Sequence, residues 1–231
     1  MLGLASQGTP MELTRIGELL GPFAPGVPLQ LLAQIRLYLD LLLRWNARTN
    51  LTAVRDPGQI VIRHFGESLF AARVLVGEAM LPGPPSQATL HLADIGSGAG
   101  FPGVPIKLFA PQCKLTLVES QNKKATFLRE VIRSLDLSNA EVFCGRAEHW
   151  GDTAELVTLR AVERFGQVLA MSTRLLAPGG RLALLIGEDQ LIRARENAPA
   201  LVWDDPYPIP GSTQRVLAVG RSQAQPYRPP V

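Results

Sequence analysis

The 231-residue sequence predicts an α/β fold, Rossmann-like, with a mostly parallel sheet behind an N-terminal helical cap. Three observations predict it. From residue 90 onward, short apolar runs alternate with helical patterns, as βαβ units require. A glycine cluster, Gly96-Ser97-Gly98-Ala99-Gly100, ends the first of those runs, where a doubly wound sheet places its ligand crevice. Ahead of residue 81 the pattern is helical only, and the Pro/Gly-rich stretch Leu81–Gln87 separates the two textures.

Taken in order, Thr9-Pro10-Met11-Glu12 reads as a capping box, with Thr9 as N-cap, Pro10 at N1 and Glu12 at N3. It opens a helix to about Leu20, stopped by Gly21-Pro22. A second helix runs from about Leu29 to Trp45, with Leu31, Leu32, Ile35, Leu39, Leu42 and Leu43 on its apolar face and Arg36, Asp40 and Arg44 on another. Asp56-Pro57 opens a third, through about Val76. Strands are expected at Leu90–Ile95, Lys114–Glu119, Ala140–Cys144, Leu156–Leu159, Arg181–Ile186 and Arg215–Val219. Helices are expected near Gly103–Ala110, Gln121–Leu135, Phe165–Leu176 and Asp189–Asn197. The last strand follows a Pro/Gly-rich connection with no helix, so it is free to enter antiparallel. Asp205-Pro206-Tyr207-Pro208 reads as a chain turn. The division is a helical segment (1–81), a linker (82–89), an α/β domain (90–221) and a tail (222–231).

The chain is 46% hydrophobic and 19% charged, the composition of a globular protein. Its two cysteines, Cys113 and Cys144, form no CxxC pair and read as small buried hydrophobes; no metal site is expected. The N-terminus lacks the basic-then-apolar pattern of a signal peptide, and Leu37–Leu43 is too short to span a bilayer. A cytoplasmic monomer is the expectation. The net charge is +3, and 19 of the 23 basic residues are arginine, a mild balance that permits a polyanionic partner without demanding one.

The glycine spacing is G-x-G-x-G, and Phe101 stands where the dinucleotide pattern G-x-G-x-x-G has its third glycine. Pro102 and Pro105 disfavour a long helix starting against a pyrophosphate. The loop therefore suits S-adenosylmethionine, which has no phosphate, better than NAD. A glycine-rich turn with no ligand is the bland alternative. Glu119 ends the second strand, 23 residues after Gly96, where a carboxylate accepts hydrogen bonds from ribose hydroxyls. It could equally cap the helix starting near Gln121. Gly145-Arg146-Ala147-Glu148 follows the third strand and faces the adenine edge.

With these residues in place the chain resembles the glucose-inhibited division protein B family, small-subunit rRNA methyltransferases that form N7-methylguanosine in 16S rRNA. The resemblance runs from about Leu29 to Arg221. It is carried by Trp45-Asn46, Asn50-Leu51-Thr52, Arg55-Asp56-Pro57, Arg63-His64-Phe65-Gly66-Glu67-Ser68, Asp94 through Pro105, Glu119-Ser120, Lys123-Lys124, Phe127-Leu128, Gly145 through Glu148 and Arg160-Ala161. The glycine loop followed by Phe-Pro-Gly-Val-Pro is its most specific part. The resemblance implies a class I methyltransferase fold with a seven-stranded sheet, S-adenosylmethionine as cofactor, and 16S rRNA or the small ribosomal subunit as partner. By it, Gly96, Gly98 and Phe101 would line the donor, Glu119 would hold its ribose, Ala147 and Glu148 would flank its adenine, and Arg160 would complete the pocket. Lys123, Lys124, Arg146 and Arg215 would contact RNA. Three positions depart from the family pattern: Glu67 and Glu155 stand where aspartate is usual, and Ile186 replaces a frequent lysine. Arg164, in a segment that is usually small and apolar, either compensates for that lost charge or merely faces solvent.

Guanine N7 carries a lone pair and no proton, so no general base is required, and none is assigned. There is no Pro-Pro-Tyr-type tetrapeptide after the fourth strand, and no cysteine in a carboxyl-edge loop suited to C5 attack. His64, with Glu67 and Ser68 one turn on, is either a clasp between cap and sheet or a neighbour of the methyl donor. A small-molecule methyltransferase would instead show a closed apolar pocket, a non-catalytic rRNA-binding assembly factor no donor affinity, and an oxidoreductase the missing third glycine.

Overall fold

The computed structural model describes residues 10–77, 90–160 and 165–223; the linker, Thr9, Ala161, Arg164 and most of the tail lie outside them. The cap comprises α1 (Leu13–Leu20), α2 (Leu29–Thr49), α3 (Pro57–Ile60) and α4 (Glu67–Val76). Helix α1 starts later than the capping-box reading, with Glu12 as an N-cap whose side chain makes no cap bond. Helix α2 runs four residues past Trp45 and ends at Asn50, which takes the left-handed conformation at φ 49°. Asp56 caps as expected, its carboxylate accepting from Gln59 N at 2.8 Å. The expected single helix from Pro57 to Val76 is interrupted between α3 and α4 by a π turn over Val61–Gly66. Its additional residue re-phases the helix, and such turns recur at functional sites.

The α/β portion holds β1 (His91–Ile95), α5 (Gly103–Phe109), β2 (Lys114–Glu119), α6 (Asn122–Ser134), β3 (Ala140–Cys144), β4 (Ala154–Arg160), α7 (Phe165–Ser172), β5 (Leu176–Gly187), α8 (Leu191–Asn197), β6 (Val202–Trp203), β7 (Tyr207–Pro208) and β8 (Arg215–Arg221). The sheet has eight strands in the order β3-β2-β1-β4-β5-β8-β6, with β7 also paired to β8. Seven positions lie on that path, which is the width expected; the eighth strand shares the flank of β8 with β6. Tyr207-Pro208, read as a turn, is therefore a two-residue strand opposite Leu217 and Val216. Strands β1 to β5 are parallel, and β8 is antiparallel to β5 with Gly187 opposite Arg215. Strands β7 and β8 are joined without a helix, the short connection that an antiparallel pair allows.

Cap and sheet share one core. Ile16, Leu20, Ile35, Leu42 and Phe65 belong to the same buried cluster as Leu92, Ile106, Leu115 and Phe127. Each such side chain contributes about 1.5–3 kcal/mol on burial, against about 0.5–1.5 kcal/mol for a typical hydrogen bond. Apolar packing is thus what holds the cap on. Polar links such as Trp45 Nε1 to Glu130 Oε2, at 2.9 Å, set its register.

Candidate donor site and basic edge

The parallel strands deliver the expected residues to one end of the sheet. In register, Ile95 of β1 lies opposite Val118 of β2 and Leu159 of β4. The glycine loop, Glu119 and Arg160 therefore leave the sheet at one level. Arg146 follows β3, Lys123 and Lys124 begin α6, and Arg215 starts the antiparallel β8, so they reach the same edge.

The loop is pinned from both sides. Gly96 N and Ser97 N donate to Val118 O at 2.9 and 3.1 Å. Glu119, 5% exposed, accepts from Gly98 N at 2.9 Å through Oε2 and from Gln121 N at 2.8 Å through Oε1. The two readings of Glu119 are compatible: one carboxylate ties the loop to the start of α6 and keeps a further lone pair on each oxygen. Gly98 has φ +58°, and a Cβ there would meet only Gly96 O, at an ordinary 3.7 Å; Gly100, at φ +84°, has no such room, because Tyr38, Val104 and Leu128 close on it.

Tyr38 is the residue that sequence reading missed. Fully buried on α2, it donates its hydroxyl to Ala99 O and stacks on Phe101 with centroids 5.3 Å apart and planes 6° apart. Phe65 meets Phe101 edge-on at 5.0 Å, and His64 lies 5.1 Å from it. The Phe101 ring, 8% exposed, is thus the joint between cap and loop. Burial raises the Tyr38 phenol far above its ordinary value, so it stays a donor. Beneath the loop, Asp94 accepts from Thr158 Oγ1 at 2.7 Å and Gly103 N at 3.3 Å. Burial pushes its carboxyl up to about 7, against the pull of those bonds.

Around the carboxyl end of β4, Arg160 donates to Glu67 Oε2 at 3.1 Å and to the Arg63 carbonyl, and lies 3.2 Å from His64 Nδ1. Arg215 reaches the same Glu67 oxygen at 2.9 Å. His64 Nε2 is 2.8 Å from Thr52 Oγ1. Burial, then the Arg160 charge, push the His64 imidazole down to about 3. It is neutral, accepts from Arg160 and donates to Thr52, which makes it a clasp between cap and sheet. Burial also raises the Glu67 carboxyl against the opposing pull of both arginines. Glu67, one methylene longer than the aspartate of the family pattern, spans to both.

The remaining expected residues separate by exposure. Ala147 is buried, whereas Glu148, Arg146 and Lys123 are exposed and Lys124 half-buried. Ile186 is 4% exposed in β5, and Arg215 lies opposite its neighbour Gly187. Glu155, the other acidic departure, accepts from His91 N at 2.9 Å at the far end of the sheet. Cys113 is buried, but Cys144 is only half-buried: it ends β3 at the carboxyl edge and donates its thiol to Asn122 Oδ1 at 3.0 Å. Among the described residues no three His, Cys, Asp or Glu side chains converge on a metal-sized site, and no helix is long and apolar enough to cross a membrane.

The family model of rRNA small subunit methyltransferase G matches residues 25–207. The chain belongs to that family. Ribosomal RNA small subunit methyltransferase G of Xanthomonas axonopodis pv. citri is 45% identical over 152 residues, 65% of this chain and 66% of that protein. The protein of the same name from Xylella fastidiosa is 43% identical over 153 residues, with the same coverage. The chain thus spans just under two thirds of the length of these curated relatives. Among solved structures, magnesium protoporphyrin IX methyltransferase from Synechocystis superposes with TM-score 0.60 at 12% identity, over 80% of this chain and 97% of that one. A predicted O-methyltransferase from Agrobacterium tumefaciens gives TM-score 0.50 at 17% identity, over 61% and 77%. At such identities the likeness is one of fold: the Rossmann-like methyltransferase fold.

Proposed function

We propose that this chain transfers a methyl group from S-adenosylmethionine to N7 of a guanosine in 16S rRNA. The observation that carries the reading is the junction of the glycine loop with Glu119, in a chain of the rRNA small subunit methyltransferase G family. The donor supplies a sulfonium methyl. Gly96 and Gly98 offer it backbone without a side chain, and Glu119 takes the ribose hydroxyls on the lone pairs left by Gly98 and Gln121. Ala147 and Glu148 flank the adenine, while Phe101 and Arg160 close the loop and β4 sides. Lys123, Lys124, Arg146 and Arg215 meet the RNA, free or within the small subunit. The charge of all four, and the exposure of Lys123 and Arg146, favour a polyanionic acceptor over a small molecule in a closed apolar pocket. The protein acts as a cytoplasmic monomer and needs no metal for this reaction.

N7 gains positive charge as sulfur loses it, and no proton leaves the acceptor. The work left to the protein is alignment of N7, methyl and sulfur. A neutral His64 held at both ring nitrogens suits that division of labour, because it positions Arg160 without exchanging protons. Incubating the full chain with methyl-labelled donor and either 16S rRNA or small subunits, followed by borohydride–aniline cleavage, tests the reading. Label in the RNA with cleavage at one guanosine is expected. Label without cleavage overturns the N7 assignment, and no label in either substrate overturns the methyltransferase reading.

A further inference from the structure

The arginine cluster at the carboxyl ends of β4 and β5 carries more positive charge than the fold uses. Arg63, Arg160 and Arg215 surround one carboxylate, Glu67, and both ion pairs go to the same oxygen. His64 adds no charge, since it stays neutral. Arg160 Nη2 is engaged by Glu67, the Arg63 carbonyl and His64. Its Nη1, and the Nε of Arg215, are buried without a hydrogen-bond partner in the protein. These are the two such side-chain atoms among the described residues. The Arg160 side chain is 8% exposed, that of Arg215 27%, and Arg63 is exposed, so it is the Arg160 charge that water screens least. A buried charged donor without an acceptor costs at least about 1–3 kcal/mol, and breaking up a buried ion cluster costs more. An anion lodged among the three guanidiniums would remove that cost.

We infer that Arg63, Arg160 and Arg215 form a seat for one backbone phosphate of the RNA substrate, beside the methyl donor. The inference rests on RNA being the acceptor. Arg63 and Arg215 line an open cleft of about 680 Å³ together with Gly187, Glu188, Asp189 and Gln214. Arg160 lies behind them, one residue beyond Leu159, which pairs with the last residue of β1. The strand order β1-β4-β5-β8 puts Arg160 one strand from the glycine loop, and the cleft walls at Gly187 and Arg215 two and three strands from it. Arginine forks match tetrahedral phosphate oxygens in pairs. Glu188 and Asp189, both exposed at the cleft, repel a continuous polyanion, so the site suits a single phosphate, one that turns in from a path along Lys123 and Arg146. Glu67 holds the guanidiniums of Arg160 and Arg215 in place until the phosphate arrives.

The test measures two affinities of the full chain: for labelled 16S rRNA by anisotropy over a salt series, and for S-adenosylmethionine by calorimetry. Arg63→Gln and Arg215→Gln are each expected to weaken RNA binding at least about tenfold. Each should reduce the slope of log affinity against log salt by about 0.7, with donor affinity within about twofold of wild type. Arg63→Gln keeps the Glu67 pairs intact, so its result stands even if Arg215→Gln folds poorly. Unchanged RNA affinity and slope in Arg63→Gln overturn the seat. So does weakened donor binding with unchanged RNA binding, which would give the anion as the donor's own carboxylate. A wild-type chain that binds RNA with these slopes but transfers no methyl would leave the seat standing and the methyltransferase reading refuted.

Discussion

The two ends of the sheet treat buried polar groups differently. At the amino end, Lys107 is 1% exposed, yet its ammonium donates to the carbonyls of Pro111 and Cys113 at 2.6 and 2.5 Å. Nearby, His91 Nε2 meets Thr116 Oγ1 at 2.9 Å, and that hydroxyl donates to Glu141 at 3.0 Å. Each group there finds its partner within the fold. At the carboxyl end two guanidiniums share one carboxylate oxygen and retain buried donors without partners. The difference separates a closed end, where polar atoms serve stability, from a working end, where they are kept for a ligand.

Substitutions at the two ends should break that comparison unequally. Glu67→Leu removes the shared counter-ion and leaves Arg160 and Arg215 buried and uncompensated. A loss of about 3–5 kcal/mol is expected, read from urea midpoints; a loss below that of Lys107→Met would refute the role given to Glu67. Lys107→Met should cost about 1–3 kcal/mol, since it strands two carbonyls but no charge.

The next effect is one of pH. The His64 imidazole is held at about 3 against an ordinary value near 6.5, so between those values the unfolded chain binds a proton that the folded chain does not. Stability from this group is complete above pH 6.5 and is lost as the pH falls toward 3. From pH 7 to pH 5 the wild type should lose about 1–2 kcal/mol more than His64→Gln. The variant should keep the wild-type shape of rate against pH. Equal losses would mean that the imidazole titrates normally in the fold. Smallest are the exposed cations: Lys123→Ala and Arg146→Ala should each flatten the salt dependence of RNA binding by about 0.7 in slope, with stability unchanged. Identical slopes would make that half of the edge an ordinary solvated face.

Much of this was legible in the residues. Strands β2 and β3 fall on the runs that predicted them; β2 is buried almost throughout, as a parallel sheet covered on both faces requires, whereas β3 is a half-buried edge strand. The glycine loop and Glu119 were found because their spacing is local. The π turn was invisible, since one extra residue hardly disturbs a helical period over Val61–Gly66. Strands β6 and β7, two residues each, are too short to carry an alternation and exist through pairing with β8. Tyr38 escaped notice because its partners, Ala99 and Phe101, are about sixty residues away. The arginine cluster was hidden likewise: Arg63, Glu67, Arg160 and Arg215 were each singled out or quoted, but only the strand order brings them together.

In the proposed function the glycine loop at the carboxyl end binds the methyl donor, and the amino end does not. Calorimetric titration of S-adenosylmethionine into the wild type, Gly98→Val and Lys107→Met tests it most directly. At φ +58° a β-branched residue is strained, and its side chain would occupy the open face of the loop. The wild type and Lys107→Met should bind one equivalent in the micromolar range, and folded Gly98→Val none. Undiminished binding by Gly98→Val, or a wild type that takes NAD in preference, would contradict it.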